Sequence, residues 1–299
     1  MRHYEETLAP CSPIPAAARD LHLMIGLSWL GEASAAQIRR IWFGSYTPSG
    51  VGYRLRLLRQ QGLLSVRYLY GGSADDRFPR RIASTWSLTN AGYVLIAEHG
   101  QAVSTYLPPR HSLLLDADIA TSEVIARIIE LGRSACMSGL NLLRHTLIDP
   151  QLPRPHPDAL IVVRTHPATV VNTAWVPWTT DRPRATELCH RWALENDSGA
   201  LAMNIMAGKA LRYQQANTVA WRRQYGPFPV PLLVTTDQRR LERIVGLWRA
   251  YWPAGTWLMT TEAGLQDDSW QLHDQGTLVT CALFDAPMTP MGGPPDGQA

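Results

Sequence analysis

Lysine is almost absent from this chain: Lys209 stands alone against 27 arginines in 299 residues. Positive charge is otherwise supplied by guanidinium, a planar fork that stays protonated, whereas lysine is a compact ammonium that can approach one oxygen. A site using Lys209 as a point charge would resist arginine. Cysteine is also scarce. Cys11, Cys136, Cys189 and Cys281 are widely spaced with no C-x-x-C pair, which argues against a disulfide framework or a Cys-ligated zinc. With no secretory signal, a cytoplasmic protein with reduced thiols is expected. Long apolar runs are missing too. Leu113–Leu115 and Leu160–Val163 fall far short of the roughly 18 residues that would suggest a membrane span. No G-x-x-x-x-G-K-[ST], H-E-x-x-H or G-x-S-x-G motif occurs, which sets aside a P-loop, a zincin and a nucleophile elbow.

What is present suffices for a folded protein of about two domains, since 45% of the residues are hydrophobic. The net charge of +3 is unevenly spread. Residues 19–110 hold 11 arginines against five acids, a balance of +6, and the remainder stands at −3. A basic first third suggests a polyanionic partner, of which nucleic acid is the usual one. Residues 1–18 read as a loose leader and 286–299, rich in proline and glycine, as a disordered tail. The Pro-containing break Tyr106–Arg110 separates a first domain, 19–105, from a second, 111–285.

Within the first domain, Leu23, Leu27 and Leu30 mark a helix, Ser34 can cap a second, and Pro48 or Ser49 opens a third that Gly62 ends. Two alternating segments flank the loop Gly71–Arg81, and Thr89 can cap a further helix. This order is that of a winged helix-turn-helix. Val51, Leu55 and Leu58 would face its core, leaving Ser49, Tyr53, Arg54, Arg56 and Arg59 outward or flanking, as a recognition helix on double-stranded DNA requires. Arg77, Arg80 and Arg81 on the wing would contact phosphates, although Asp75 and Asp76 share its tip. The lesser alternative is that the winged helix is a protein-interaction module.

In the second domain a helix over about 116–132 precedes alternating strands and helices, an α+β or α/β sandwich with a mixed sheet. Asp158 stands directly before the strand expected at Ala159–Arg164, and Glu195 and Asp197 end the next core strand, two apart and so on one face. Three converging carboxylates would repel one another unless a cation bound, and all-oxygen ligation favours Mg²⁺ or Mn²⁺. Lys209, Arg212 and Tyr213 at i, i+3 and i+4 on the following helix could lay the ammonium against that site. The alternative is that these are strand-end charges and an ordinary helix lysine.

Pro157-Asp158, Glu195-x-Asp197-Ser198-Gly199 and Lys209-x-x-x-Tyr213 behind a winged helix resemble the bacterial replication-relaxation family of plasmids and other mobile elements. The likeness spans roughly residues 20–260 and, through it, the second domain resembles the PD-(D/E)xK restriction-endonuclease-like fold. It implies that Asp158 and Glu195 are metal carboxylates, that Lys209 is the motif lysine moved onto a helix, and that Glu123 is an accessory carboxylate. Asp197 stands where the nuclease motif has lysine, and Ser198-Gly199-Ala200 where the family has an Arg-Gly-Thr-like triplet. Two functions follow. One is metal-dependent phosphodiester cleavage, by an endonuclease or nickase acting in replication, relaxation or transfer; the other is a catalytically inactive DNA-binding regulator of copy number or transcription. Replication or transfer proteins and a homodimer partner are the further contacts such a protein would make.

Overall fold

Ser34 and Thr89 cap helices where the sequence marks them. The structure, a computed structural model, describes residues 16–44, 46–71, 80–99, 112–135, 137–144, 156–165, 187–199 and 201–290. Helix α1 (Ala16–Leu30) buries Leu23, Leu27 and Leu30, and Gly31, at φ 79°, turns the chain out of it. After β1 (Ala33–Ser34), Ser34 and Gln37 exchange backbone and side-chain hydrogen bonds in a capping box that starts α2 (Ala35–Ile38). That helix widens into a π-helical turn over Arg39–Phe43. Thr47 caps α3 (Pro48–Gln60), Pro48 fills a first-turn position where no N–H is needed, and Val51, Leu55 and Leu58 are buried. Strands β2 (Leu64–Gly71) and β3 (Arg80–Leu88) pair antiparallel, β1 joins the other edge of β3, and Thr89 caps α4 (Asn90–Glu98). A Cβ at Gly92 would lie 2.5 Å from the Leu63 carbonyl oxygen, so this approach of α4 to the start of β2 needs glycine.

Helix α5 (Ser112–Ser134) contains the division between two compact units, which falls at Ala126/Arg127 and so beyond the Pro-rich break where the sequence suggests a boundary. Its first half belongs to the first unit: Ser122 donates to the Glu32 carbonyl at 2.8 Å, and Gln37 to the Ile119 carbonyl at 3.1 Å.

The second unit is a mixed sheet with helices, as α+β alternation predicts. Its strands are β4 (Met137–Arg144), β5 (Ala159–Thr165), β6 (Leu188–Asp197), β7 (Val230–Thr235), β8 (Trp257–Thr261), β9 (Trp270–Asp274) and β10 (Thr277–Cys281), in the order β10-β9-β8-β7-β6-β5-β4. Among the described residues only the β6–β7 and β7–β8 pairs are parallel. The crossovers they require contain α6 (Met203–Ala216) and α7 (Val219–Tyr225) in the first and α8 (Gln238–Tyr251) in the second. Helix α9 (Glu262–Gln266) follows β8, and β11 (Thr289–Pro290) pairs with the start of β6 at Cys189 and Leu188, so backbone pairing orders part of a stretch expected to be tail. Helices α6 and α8 cover the sheet through one core in which Ala193, Leu233 and Met259 meet Met206, Ala210, Tyr213, Leu241, Ile244 and Trp248. The strand expected at 159–164 occurs as β5, and the core strand expected to end in Glu195 and Asp197 occurs as β6. Residues 166–186, in which Val171–Thr180 with Trp175 and Trp178 reads from the sequence as a hairpin-like insertion, lie outside the described residues.

Candidate functional site

Strand β6 lies between β5 and β7, and burial of both its faces would favour an unbroken apolar run. It ends instead in Glu195 and Asp197, each only 2% exposed. A buried carboxylate must find donors, and the two find different ones. Tyr213 donates its hydroxyl to Glu195 Oε1 at 2.8 Å, and Lys209 pairs with Oε2 of the same carboxylate. Being four residues apart, both donors reach down from one face of α6. Asp197 is held by α8 and β7: Arg240 donates Nε–H to Oδ2 at 2.5 Å and Nη2–H to Oδ1 at 2.9 Å, and Thr235 donates to Oδ2 at 2.7 Å. Arg240 also reaches the Leu201 carbonyl at 2.5 Å, closing the turn between β6 and α6. Asp158 precedes β5 and ties itself to β6 at both ends. Its N–H donates to the Leu194 carbonyl at 2.8 Å, and its Oδ2 accepts from Asn196 N–H at 2.8 Å.

Charges follow this arrangement. Burial pushes the Glu195 carboxyl up, the Lys209 ammonium and Tyr213 hydroxyl pull it down, and the Asp158 charge adds to the rise. Lys209 loses hydration, but Glu195 and then Asp158 outweigh that and hold it above its ordinary value. Tyr213 is raised well above the usual phenol range by burial and by Glu195, so it stays a donor. Burial acts against the Asp197 charge too, yet Arg240, Thr235 and the Gly199 N–H together hold its pKa below the usual carboxylate value.

Asp158, Glu195 and Lys209 therefore form one electrostatic group, with Tyr213 attached, and Asp197 belongs to a second network centred on Arg240. A magnesium ion does not fit these donors as they stand. Both Glu195 oxygens are taken, Asp197 is saturated by a guanidinium, and among the described residues no group of three or more His, Cys, Asp or Glu side chains could hold a metal ion. Glu123 is engaged in the first unit, paired with Arg40 and accepting from Gln37 Nε2 at 3.1 Å. Arg240 is the participant that sequence reasoning missed. A guanidinium at the start of α8, directly after the strand parallel to β6, is the signal that could have found it.

On α3, the outward residues divide in the same way. Arg54 turns back to α1 and donates Nε–H to Asp20 Oδ1 at 2.8 Å, with its Nη2 on the other oxygen. Tyr53, Arg56 and Arg59 are exposed; Arg59 makes a 3.1 Å contact with the Tyr68 hydroxyl on β2. Ser49 is exposed at the first turn, with its hydroxyl 3.1 Å from that of Thr47. Arg80 and Arg81 pair through their backbones with Gly71 and Tyr70, and Arg77 lies outside the described residues. No helix among the described residues is long and apolar enough to cross a membrane. No protein-family model matches the chain, and comparisons with curated proteins and with solved structures give no match.

Proposed function

We propose that this chain is a DNA-binding protein of the replication-relaxation kind. In this reading the first unit is a winged helix that docks α3 in the major groove of duplex DNA, and the second is a restriction-nuclease-like domain retained as a platform. The observation that carries it is the exposed edge of α3. The helix contains no acid, its apolar stripe Val51, Leu55 and Leu58 is buried, and Ser49, Tyr53, Arg56 and Arg59 remain at the surface. A helix so placed reads bases with its first turns and contacts phosphates with its arginines. Arg54 is left out of the reading set because it is committed to Asp20.

The platform reading of the second unit over a cutting one rests on Lys209 and Arg240. Each supplies the cation that its buried carboxylate would otherwise seek from solvent, and a closed ion pair leaves no open ligand position for a water nucleophile. Regulation of copy number or transcription is the role that remains. Fluorescence anisotropy of the full chain on a duplex, across a salt series, tests the DNA-binding claim, and Arg56→Ala/Arg59→Ala should weaken binding. A supercoiled-plasmid assay with Mg²⁺ or Mn²⁺ tests the platform claim. Relaxed or linear product that disappears in Glu195→Gln would replace that claim with metal-dependent cleavage.

A further inference from the structure

The second unit as a whole is close to neutral, with 16 basic and 15 acidic side chains, but its helical layer is basic. Residues 203–251 contain eight basic side chains and two acidic ones, Asp237 and Glu242. Lys209 and Arg240 turn inward to Glu195 and Asp197. Asp237 is engaged as the cap of α8, accepting from Arg240 N–H at 2.9 Å, and Glu242 accepts from Gln238 at 3.1 Å. The exposed charge of the layer is therefore dominated by arginine.

Helix α8 sorts these residues sharply. Leu241, Ile244, Val245 and Trp248 are buried against the sheet, so its outer stripe runs through Arg239, Arg243, Gly246 and Arg249, all exposed. At about 1.5 Å of rise per residue, Arg239 to Arg249 spans about 15 Å, the axial length of roughly four nucleotides of one DNA strand. Gly246 lies in the middle of that stripe. Among the described residues a Cβ there would meet nothing within 4 Å, so their packing does not demand the glycine, although glycine weakens a helix interior relative to alanine. An exposed glycine between arginines lets a partner's backbone come close while guanidinium forks grip it on either side. Phosphate suits those forks in both geometry and charge.

We propose that the Arg239–Arg243–Gly246–Arg249 face of α8 is a second DNA-contacting surface, one that grips the sugar–phosphate backbone of a duplex without reading its sequence. This deepens the DNA-binding reading and rests on it. Three versions of the full chain separate the two: the parent, Arg239→Ala/Arg243→Ala/Arg249→Ala, and Arg56→Ala/Arg59→Ala. Each is titrated with a fluorescent duplex over a range of KCl, with its thermal midpoint as a fold control. Removing one arginine that neutralises a phosphate should flatten the slope of log K against log salt by about 0.9. The α8 variant should therefore lose about 2–3 from the slope and roughly tenfold or more in affinity near 0.1 M salt, equally on unrelated sequences. Gly246→Gln adds bulk without charge and should weaken binding severalfold at an unchanged fold. A parental slope and affinity in the α8 variant, while the α3 variant loses both, would overturn this inference and leave the α3 reading standing. Loss confined to the α8 variant would support this surface and remove α3 as the reader. A parent that binds no duplex overturns both.

Discussion

Lys209 holds Oε2 of Glu195 while Tyr213, one turn further along α6, holds Oε1, so both oxygens of this buried carboxylate are engaged by one helix. A buried charge stripped of its partner is costly, typically about 3–5 kcal/mol. Lys209→Met should destabilise the second unit by that order in urea melts. Lys209→Arg should also destabilise it, because a planar fork replaces a point charge between α6 and β6. The combined Lys209→Met/Glu195→Gln chain should recover much of the loss, since no unpaired charge remains. Single-variant costs that simply add in the double variant would show that the two residues do not act on each other.

The Arg240–Asp197 pair depends on a fork. Arg240 makes two bonds to the carboxylate and a third to the Leu201 carbonyl at 2.5 Å, and an ammonium in its place cannot reproduce that planar set. Arg240→Lys should cost about 1–3 kcal/mol and Arg240→Ala more, about 3–5 kcal/mol, by leaving Asp197 buried and unpaired. Hydrogen exchange reads the local consequence. Protection at the β6–α6 turn should fall in both variants, and unchanged exchange there would mean that Arg240 does not hold this turn.

Arginines on α3 should separate by role. Arg54 bridges to Asp20 on α1 from a side chain that is 19% exposed, so Arg54→Ala should lower stability by about 1–3 kcal/mol. Arg56 and Arg59 are exposed; replacing them should leave thermal stability within about 0.5 kcal/mol and affect DNA affinity alone. The assignment fails if Arg54→Ala melts with the parent, or if Arg56→Ala/Arg59→Ala unfolds early.

Local signals are readable in the sequence and long-range ones are not. The Ser34 and Thr89 caps and the Val51, Leu55, Leu58 stripe are written within one or two helical turns, and all appear as expected. Strand β4 carries no clear signal, because its register shifts between Met137 and Gly139 and the irregularity spoils the two-residue period. Helix α7 has seven residues, too few for a clear helical period. At the candidate site, Glu195 and Lys209 are 14 residues apart across one β–α connection, and the spacing of Lys209 and Tyr213 already puts them on one face. Arg240 lies 43 residues from Asp197 and meets it only because β7 lies parallel to β6. The Arg54–Asp20 pair, 34 residues apart, likewise depends on how α1 meets α3, which helical periodicity does not encode.

His190 should make the second unit sensitive to mild acid. It lies on β6, 2% exposed, stacked on Trp192 at 5.1 Å with Phe284 edge-on at 5.1 Å, and among the described residues its Nδ1 has no hydrogen-bond partner. Loss of hydration on burial lowers its pKa from 6.5 to about 4. The unfolded chain therefore takes up a proton near pH 6.5 that the folded chain refuses until about pH 4. Between those values the unfolded state binds more protons, so stability rises with pH. The contribution is fully present above pH 6.5 and is lost as the pH falls to about 4, a change on the order of 3 kcal/mol across that window. Urea melts at pH 7 and pH 5 should show a fall in the parent that is much smaller in His190→Phe, which keeps the ring stack and removes the titration. Equal falls in the two proteins would place the acid sensitivity elsewhere.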